Sequence, residues 1–249
     1  YLSDLTESQA KQFKGAWEHL EREVKPTRLT YVGTPLAKYW WRYKRPTKPL
    51  YDEMRKKPLV LACAVVTKYL ALAWISSNVV LMNKIYAFLN ADLGDFAVLQ
   101  STHFELWVRH FSANLGETLQ FAPSDCFVNF PFPVDTTQLN ETSTRYHELR
   151  REIMLTREEG LTATYNRFHD RRECSQDIQE LRRTQEEMDR AVLTAYGWGD
   201  LGLDFDFHET RQGERYTISD DSKRSIFSRL IDLNLSLIHI SEPTRRRGI

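Results

Sequence analysis

The sequence predicts an α+β fold, in which a mixed α/β part up to residue 134 precedes a helical part over residues 135–235. Before that boundary, short β-branched apolar runs alternate with stretches of helical spacing. Beyond it, the chain consists mainly of long, charged stretches with the apolar spacing of amphipathic helices. The 249 residues are 41% apolar and 12% aromatic, which is enough to bury a core and excludes a disordered chain.

The first 57 residues predict helices separated by a loop. Residues 7–24 have helical spacing, and we expect Lys25-Pro26 to end that helix. Residues 38–57 carry 8 basic and 2 acidic residues, and their prolines predict a loop followed by a short helix over residues 49–57.

Strands and a long helix are predicted next, up to the boundary. Residues 58–82 are apolar, but Lys68 and the Ser76–Asn78 interruption favour buried strands over a membrane span. The predicted elements are strands over 59–66, 70–75 and 79–82, a helix over 92–111, a strand over 118–121 and a turn-rich joint over 125–133. Past the boundary we expect helices over 138–159 and 173–195, and one ending at 229–234.

The two ends of the sequence have unusual features. The chain begins at Tyr1 without an initiator Met or a signal-peptide pattern, so we expect a fragment of a longer protein. Residues 236–249 match no periodicity, and we interpret them as a non-native tail, with an ordinary basic tail as the alternative. The three cysteines show no CxxC spacing, which favours a reducing cytoplasm and argues against a structural zinc site.

Positive charge is concentrated near the start of the chain, although the formal net charge is +0. Residues 1–60 hold 13 basic and 7 acidic residues, whereas residues 135–234 hold 15 and 21. We call residues 38–57 the basic segment, and it interleaves cations with Tyr39, Trp40, Trp41 and Tyr43. We expect the tryptophans to anchor this segment in a core. We expect its cations to contact the phosphates of duplex DNA. These cations are Lys38, Arg42, Lys44, Arg45 and Lys48.

Catalytic motifs are incomplete. The sequence has no GxGxxG, GxxxxGK[ST], HExxH or GxSxG, and His103-Thr-Glu105 lacks the PCxxC partner of zinc deaminases. The turn Asn129–Phe132 has Phe130 where amino-methyltransferases have the first proline, so we expect a packing role. A faint nuclease pattern of Asp204, Asp206, Asp221 and Lys223 remains as an alternative.

Between about residues 5 and 235, several sequence strings follow one another in the same order as in a known family: TESQAKQF, YWWRYKRP, FAVLQSTHFELWVRHFS, DCFVNFPFP, EEGLTATYNRFHD and IQELRRTQEEMDRAVLTAYGW. The chain resembles the C-terminal part of the single-chain Type IIG/Type IIL (MmeI-like) DNA methyltransferase/restriction enzymes. The resemblance implies a DNA target recognition domain followed by a helical extension.

The resemblance further implies that this fragment selects the DNA sequence and is itself non-catalytic. The intact parent would be a bacterial phage-defence enzyme that methylates adenine N6. It would carry an upstream methyltransferase domain in the same chain, use S-adenosylmethionine, and use Mg²⁺ if its nuclease is present.

The stretch after the predicted 92–111 helix is where recognition positions of the family cluster. Arginine, amide and carboxylate side chains are the groups that read base edges in the major groove. The candidates are Arg109, His110, Ser112, Asn114, Glu117, Thr118 and Gln120. In the string after Gly160, Asn166 and Arg167 are candidate phosphate contacts, with a structured connector as an equally good interpretation.

Two other classes of function stay open at this point. Charged helices of this kind also occur in protein-interaction modules that bind a partner subunit, and the acidic pattern would suit a metal-dependent nuclease. Salt-dependent binding to duplex DNA separates DNA recognition from the protein-interaction module, because phosphate contacts weaken steeply with salt. Loss of Mg²⁺-dependent cutting in Asp221→Ala would support the nuclease.

Overall fold

The computed structural model describes residues 2–44, 47–115 and 118–241, so the predicted contacts Arg45 and Glu117 lie outside the described residues. The described elements are mixed helix and short antiparallel sheet, which confirms the α+β class. The chain divides into two compact units, Tyr1–Leu59 with Ser76–Val80 and Val60–Ile75 with Leu81–Ile249. The boundary predicted near residue 134 falls inside the second unit and stays a prediction about domain organisation.

The first unit is built from short helices around a tryptophan cluster. Its helices are α1 (Glu7–Ala10), α2 (Lys14–Glu23), α3 (Lys25–Leu29), α4 (Pro35–Lys38) and α5 (Lys48–Met54). The continuous helix predicted over 7–24 is wrong, because the chain breaks after Ala10 and Phe13 turns outward. The predicted end at Lys25-Pro26 is confirmed, since α2 ends at Glu23 and Pro26 stands in the first turn of α3, where its missing N–H has no helical partner to lose.

The second unit contains two three-stranded sheets. One has the order β3 (Leu72–Ser76), β1 (Leu59–Ala64), β4 (Ile85–Phe88), and the other has β2 (Val66–Thr67), β6 (Thr118–Gln120), β5 (Asn114–Leu115). The strand predicted over 79–82 is wrong. Backbone pairing with β1 instead selects β4, with Leu61 opposite Phe88 and Ala64 opposite Ile85.

The predicted 92–111 helix is two helices, α6 (Leu93–Gln100) and α7 (Thr102–Phe111). Ser101 separates them. Its Oγ accepts from the Phe104 N–H at 3.2 Å and donates to the Val98 carbonyl at 2.7 Å, so one hydroxyl satisfies both helix ends. The break lets α7 leave the direction of α6 and lead into β5.

The remaining helices are α8 (Pro123–Cys126), α9 (Asn140–Thr156), α10 (Leu161–Phe168), α11 (Gln176–Ala195) and α12 (Asp220–Ser241). Between the last two lies a hairpin of β7 (Phe205–Thr210) and β8 (Gly213–Ile218), which was not predicted from the sequence. Gly213 has φ +86° at its turn, a conformation that favours glycine. α12 continues six residues past 235, and residues 242–249 lie outside the described part of the chain.

One core joins residues from both sides of 134 in the second unit. Phe104, Trp107 and Leu119 are buried with Ile226 and Leu230 of α12 in the same apolar cluster. This shared core fixes α7 and β6 against the helices and hairpin that follow residue 134. Among the described residues, no helix combines the length and apolar character needed to cross a membrane.

Candidate nucleic-acid interface

The basic segment presents its lysines to solvent. Lys38, Lys44 and Lys48 are exposed, and Lys48 forms an i,i+4 ion pair with Asp52 at 3.0 Å. The Arg42 guanidinium donates to the Leu5 carbonyl at 3.2 Å and lies 4.7 Å from the Tyr39 ring centroid. The lysines thus offer charge that a phosphate can neutralise, whereas Arg42 is partly engaged in holding the segment.

The tryptophans anchor the basic segment, as predicted. Trp40 and Trp41 are 6% and 7% exposed, and their ring centroids lie 4.8 and 6.2 Å from that of Trp17. The Trp41 indole N–H donates to the Leu5 carbonyl at 3.3 Å. These contacts fix the backbone from which the lysines project, so fewer conformations are lost when the segment meets a ligand.

The predicted recognition stretch runs from the end of α7 through β5 and β6. Gln120 is exposed and Thr118 half-buried, while Leu119 between them is fully buried, so the two polar side chains share the outward face of β6. His110 is exposed beside Phe227, with ring centroids 4.4 Å apart. Gln120, Thr118 and His110 are therefore placed where a ligand can reach them.

Two other candidates of this stretch are placed differently. Ser112 is buried at 6% exposure, and it lowers the pKa of the Cys126 thiol through a hydrogen bond, although burial raises that pKa overall. Asn114 lies in β5 opposite Leu119, and its side chain is outside the described part of the chain. The DNA contacts of Ser112 and Asn114 stay predictions. Because Ser112 is buried, it could contact a base only if the loop opened.

Arg109 is held by the half-buried carboxylate of Glu105, whose side chain is 27% exposed. Its guanidinium lies 2.6 Å from Glu105 Oε1, one turn earlier on α7, and donates to the Lys68 carbonyl at 3.2 Å. Arg215 of β8 approaches the same Glu105 oxygen at 3.5 Å and the same Lys68 carbonyl at 3.3 Å. Burial alone would raise the pKa of Glu105, but the charges of Arg109 and then Arg215 outweigh it and lower the pKa. We call these three side chains the Glu105 cluster.

The Glu105 cluster lies in a cleft of about 840 Å³. Its walls are α7, the end of α10, the β7–β8 hairpin and the start of α12. His169 lines it, stacked on Tyr69 at 5.1 Å, and its buried Nδ1 has no hydrogen-bond partner within the described residues. Burial, followed by the charge of Arg215, lowers the pKa of His169 to about 3, so the ring is neutral at pH 7.

The structure favours the connector interpretation for the string after Gly160. Arg167 bridges Glu159 at 2.6 Å and Glu173 at 2.8 Å, and the Asn166 side-chain oxygen accepts from the Tyr69 hydroxyl at 2.7 Å. Their predicted phosphate contacts are not tested by this geometry, but both side chains already have structural partners.

The incomplete catalytic motifs occupy structural positions. Phe130 is buried, as the packing role predicts, and its ring centroid lies 4.9 Å from that of Phe104. The Asn129 carbonyl accepts a hydrogen bond from the side-chain amide of Asn234. Asp221 pairs with Arg224, and Lys223 pairs with Asp220 at 2.9 Å. Within the described residues, no group of three His, Cys, Asp or Glu side chains could hold a metal ion.

Comparisons with known proteins concern the family and the fold of the chain. The family model of the MmeI target recognition domain matches residues 2–134. The solved structure of the Type IIL restriction–modification enzyme MmeI in complex with DNA is similar with a TM-score of 0.64 and 15% identity. That similarity covers 96% of this chain and 28% of the MmeI chain, so this chain spans under a third of its structural relative. No curated protein matches. Because the family model covers more than half of the sequence, the chain belongs to the MmeI target recognition domain family.

Proposed function

We propose that the chain recognises a specific sequence in duplex DNA on behalf of a longer restriction–modification enzyme. The observation that carries the proposal is membership of the target recognition domain family over residues 2–134. Two surfaces suit this function. The exposed lysines of the basic segment can contact phosphates, and the outward face of β6 presents Thr118 and Gln120. Amide and hydroxyl side chains are suited to base edges.

Methylation of adenine N6, with or without DNA cleavage, belongs in this proposal to the parent enzyme. The described residues include neither a glycine-rich loop that would cradle S-adenosylmethionine nor an intact Asn-Pro-Pro-aromatic turn. In this proposal the parent enzyme binds S-adenosylmethionine and, if it has a nuclease, Mg²⁺, whereas this chain supplies recognition of the DNA. An upstream methyltransferase domain of the same parent and a bacterial cytoplasmic setting complete the proposal.

The proposal is tested by selecting duplexes from a random-sequence DNA library with the full chain, followed by binding titrations at several salt concentrations. Sequence recognition predicts an enriched consensus whose duplex binds at least about 10³-fold more tightly than unrelated duplexes. Binding should also weaken steeply as salt rises. Enrichment of no sequence would refute DNA recognition by this chain and favour the protein-interaction alternative.

A further inference from the structure

The Glu105 cluster joins the two parts of the sequence that lie before and after residue 134. Glu105 and Arg109 lie on α7, which leads directly into the predicted recognition strands, whereas Arg215 lies on the hairpin 110 residues further along the chain. All three belong to the second unit. The hairpin thus supplies a second cation to a carboxylate that already has one on its own helix.

The two arginines are not held equally. Arg215 is 5% exposed, and its guanidinium lies over the Tyr69 ring at 4.8 Å besides contacting Glu105 and the Lys68 carbonyl. Both arginines line the cleft, where the Arg109 side chain is 16% exposed and the Arg215 side chain 6%. Arg109 therefore has more open space into which it can turn, although it lies closer to Glu105 than Arg215 does, at 2.6 Å against 3.5 Å.

A carboxylate that is partly withdrawn from water, as Glu105 is, is destabilised when it loses its sole cation, and this penalty would hold a lone arginine in place. A second, fixed cation removes most of that penalty. Resting on the proposed function, we propose that Arg215 is a positioning residue for DNA recognition: it stays on Glu105 as the counter-ion while Arg109 leaves for a base edge of the DNA. Guanine, with two acceptors toward the major groove, is the base that a guanidinium fits best.

The inference makes Arg215 matter to sequence preference through Arg109 rather than through its own contact with DNA. Without Arg215, Glu105 retains Arg109 and the position that Arg109 reads is lost. Arg109→Ala should lower affinity for the selected duplex by roughly tenfold and relax one consensus position. Arg215→Gln should relax the same position, and adding Arg109→Ala to it should cost under about threefold more.

Glu105→Gln provides the second variant, since it removes the half-buried negative charge without removing side-chain volume. Arg109 then no longer has to leave an ion pair, so affinity for the selected duplex should rise by about two- to fivefold. Combining Glu105→Gln with Arg215→Gln removes both charges together, which also avoids a half-buried unpaired carboxylate if Arg215→Gln alone fails to fold. In this double variant the consensus position should be retained.

The matched control is Arg171→Gln, which breaks the 2.9 Å pair of Arg171 with Glu214 on the same hairpin without touching Glu105. Selection from the random duplex library is repeated for each variant, and circular dichroism melting checks folding. The inference would be overturned if Arg109→Ala lowered affinity for the selected duplex by the same factor in the wild-type chain and in the Arg215→Gln variant. So would loss of the position in the Glu105→Gln/Arg215→Gln variant. A wild-type chain that selects no consensus overturns the proposed function instead, and the inference with it.

Discussion

The exposed lysines of the basic segment and the buried arginines of the second unit are used in opposite ways. Lys38, Lys44 and Lys48 stand in solvent on a backbone fixed by tryptophans. Arg150 is 2% exposed and donates to the Leu72 carbonyl at 2.6 Å and to Gln100 and Tyr165 at 3.0 and 2.9 Å. One set offers charge to a ligand, and the other uses its hydrogen bonds to hold the fold.

The comparison shows why a count of basic residues is a poor guide to a DNA-binding surface. The part of the chain after residue 134 contains fifteen arginines and lysines up to residue 234. Many of the arginines are bound internally: Arg182, for example, donates to the carbonyls of Arg167, Phe168, Asp170 and Glu173 at the end of α10. The exposed lysines of the basic segment are fewer than the basic residues after residue 134, but they are more available to a phosphate. We therefore assign the sequence-independent affinity for DNA to these lysines.

The largest expected effect is on stability. Arg150→Met removes a cation to which no carboxylate is paired within the described residues, and it leaves the Leu72 carbonyl without that donor. We expect the free energy of unfolding to fall by about 3–5 kcal/mol. Urea denaturation measures it, and the exposed neighbour Arg151→Met is the matched control, expected to change it by less than about 0.5 kcal/mol. An equal, small loss for both variants would show that burial of Arg150 contributes nothing.

A second expectation concerns pH and His169. Its folded pKa of about 3 lies below the ordinary histidine value of 6.5, so the unfolded chain binds more protons between these two values. Stability is therefore complete above about pH 6.5 and falls as pH drops toward 3, by at most about 1.4 kcal/mol per pH unit from this group.

His169→Phe keeps an aromatic ring against Tyr69 but cannot be protonated. Denaturant titrations at pH 7 and pH 5 should show a smaller loss of stability on acidification than in the parent sequence. His110→Gln, which changes an exposed histidine near the same cleft, is the control for replacing a histidine as such. An unchanged slope in His169→Phe would mean that the pKa of His169 is the same in the folded and the unfolded chain, and so is not lowered by burial.

The third expectation is the smallest in free energy and concerns binding. Replacing Lys38, Lys44 and Lys48 together by alanine should lower the slope of log affinity against log salt by about 2–3 units. Lys14→Ala, which removes an exposed charge of the first unit outside the basic segment, should leave the slope unchanged. Fluorescence anisotropy with one duplex at several salt concentrations measures both, and an unaltered slope in the triple variant would remove the basic segment from the interface.

Much of the fold was predictable because apolar spacing is a local signal. The stripe over Ile178, Leu181, Met188 and Val192 predicts α11, and all four side chains are buried. The break at Ser101 was also readable, since serine is a preferred helix cap, but it was outweighed by continuous apolar spacing. The alternation within Phe205–Thr210 and Gly213–Ile218 is typical of a hairpin and is a local signal of the same kind.

The site was less predictable because its charges are paired over long sequence distances. Glu105 and Arg109 stand at i,i+4 on a helix, and that pairing could be foreseen. Nothing local to Arg215 indicates that it returns to Glu105, because only the packing of the hairpin brings them together. Likewise, Ser112 is buried because of the core beneath it, and its neighbours in the sequence do not indicate this packing. The polar character of a residue in a predicted loop therefore does not show that its side chain is exposed.

The most direct test compares consensus sequences from one random duplex library, selected with two multiple variants of the full chain. The triple lysine variant should bind all duplexes more weakly and select the parental consensus. Thr118→Ala with Gln120→Ala should select an altered consensus, at a cost of about 1–3 kcal/mol for each base pair no longer read, and keep the parental salt slope. If both variants lose affinity equally and both keep the parental consensus, the division between a surface that holds DNA and a surface that reads it is contradicted.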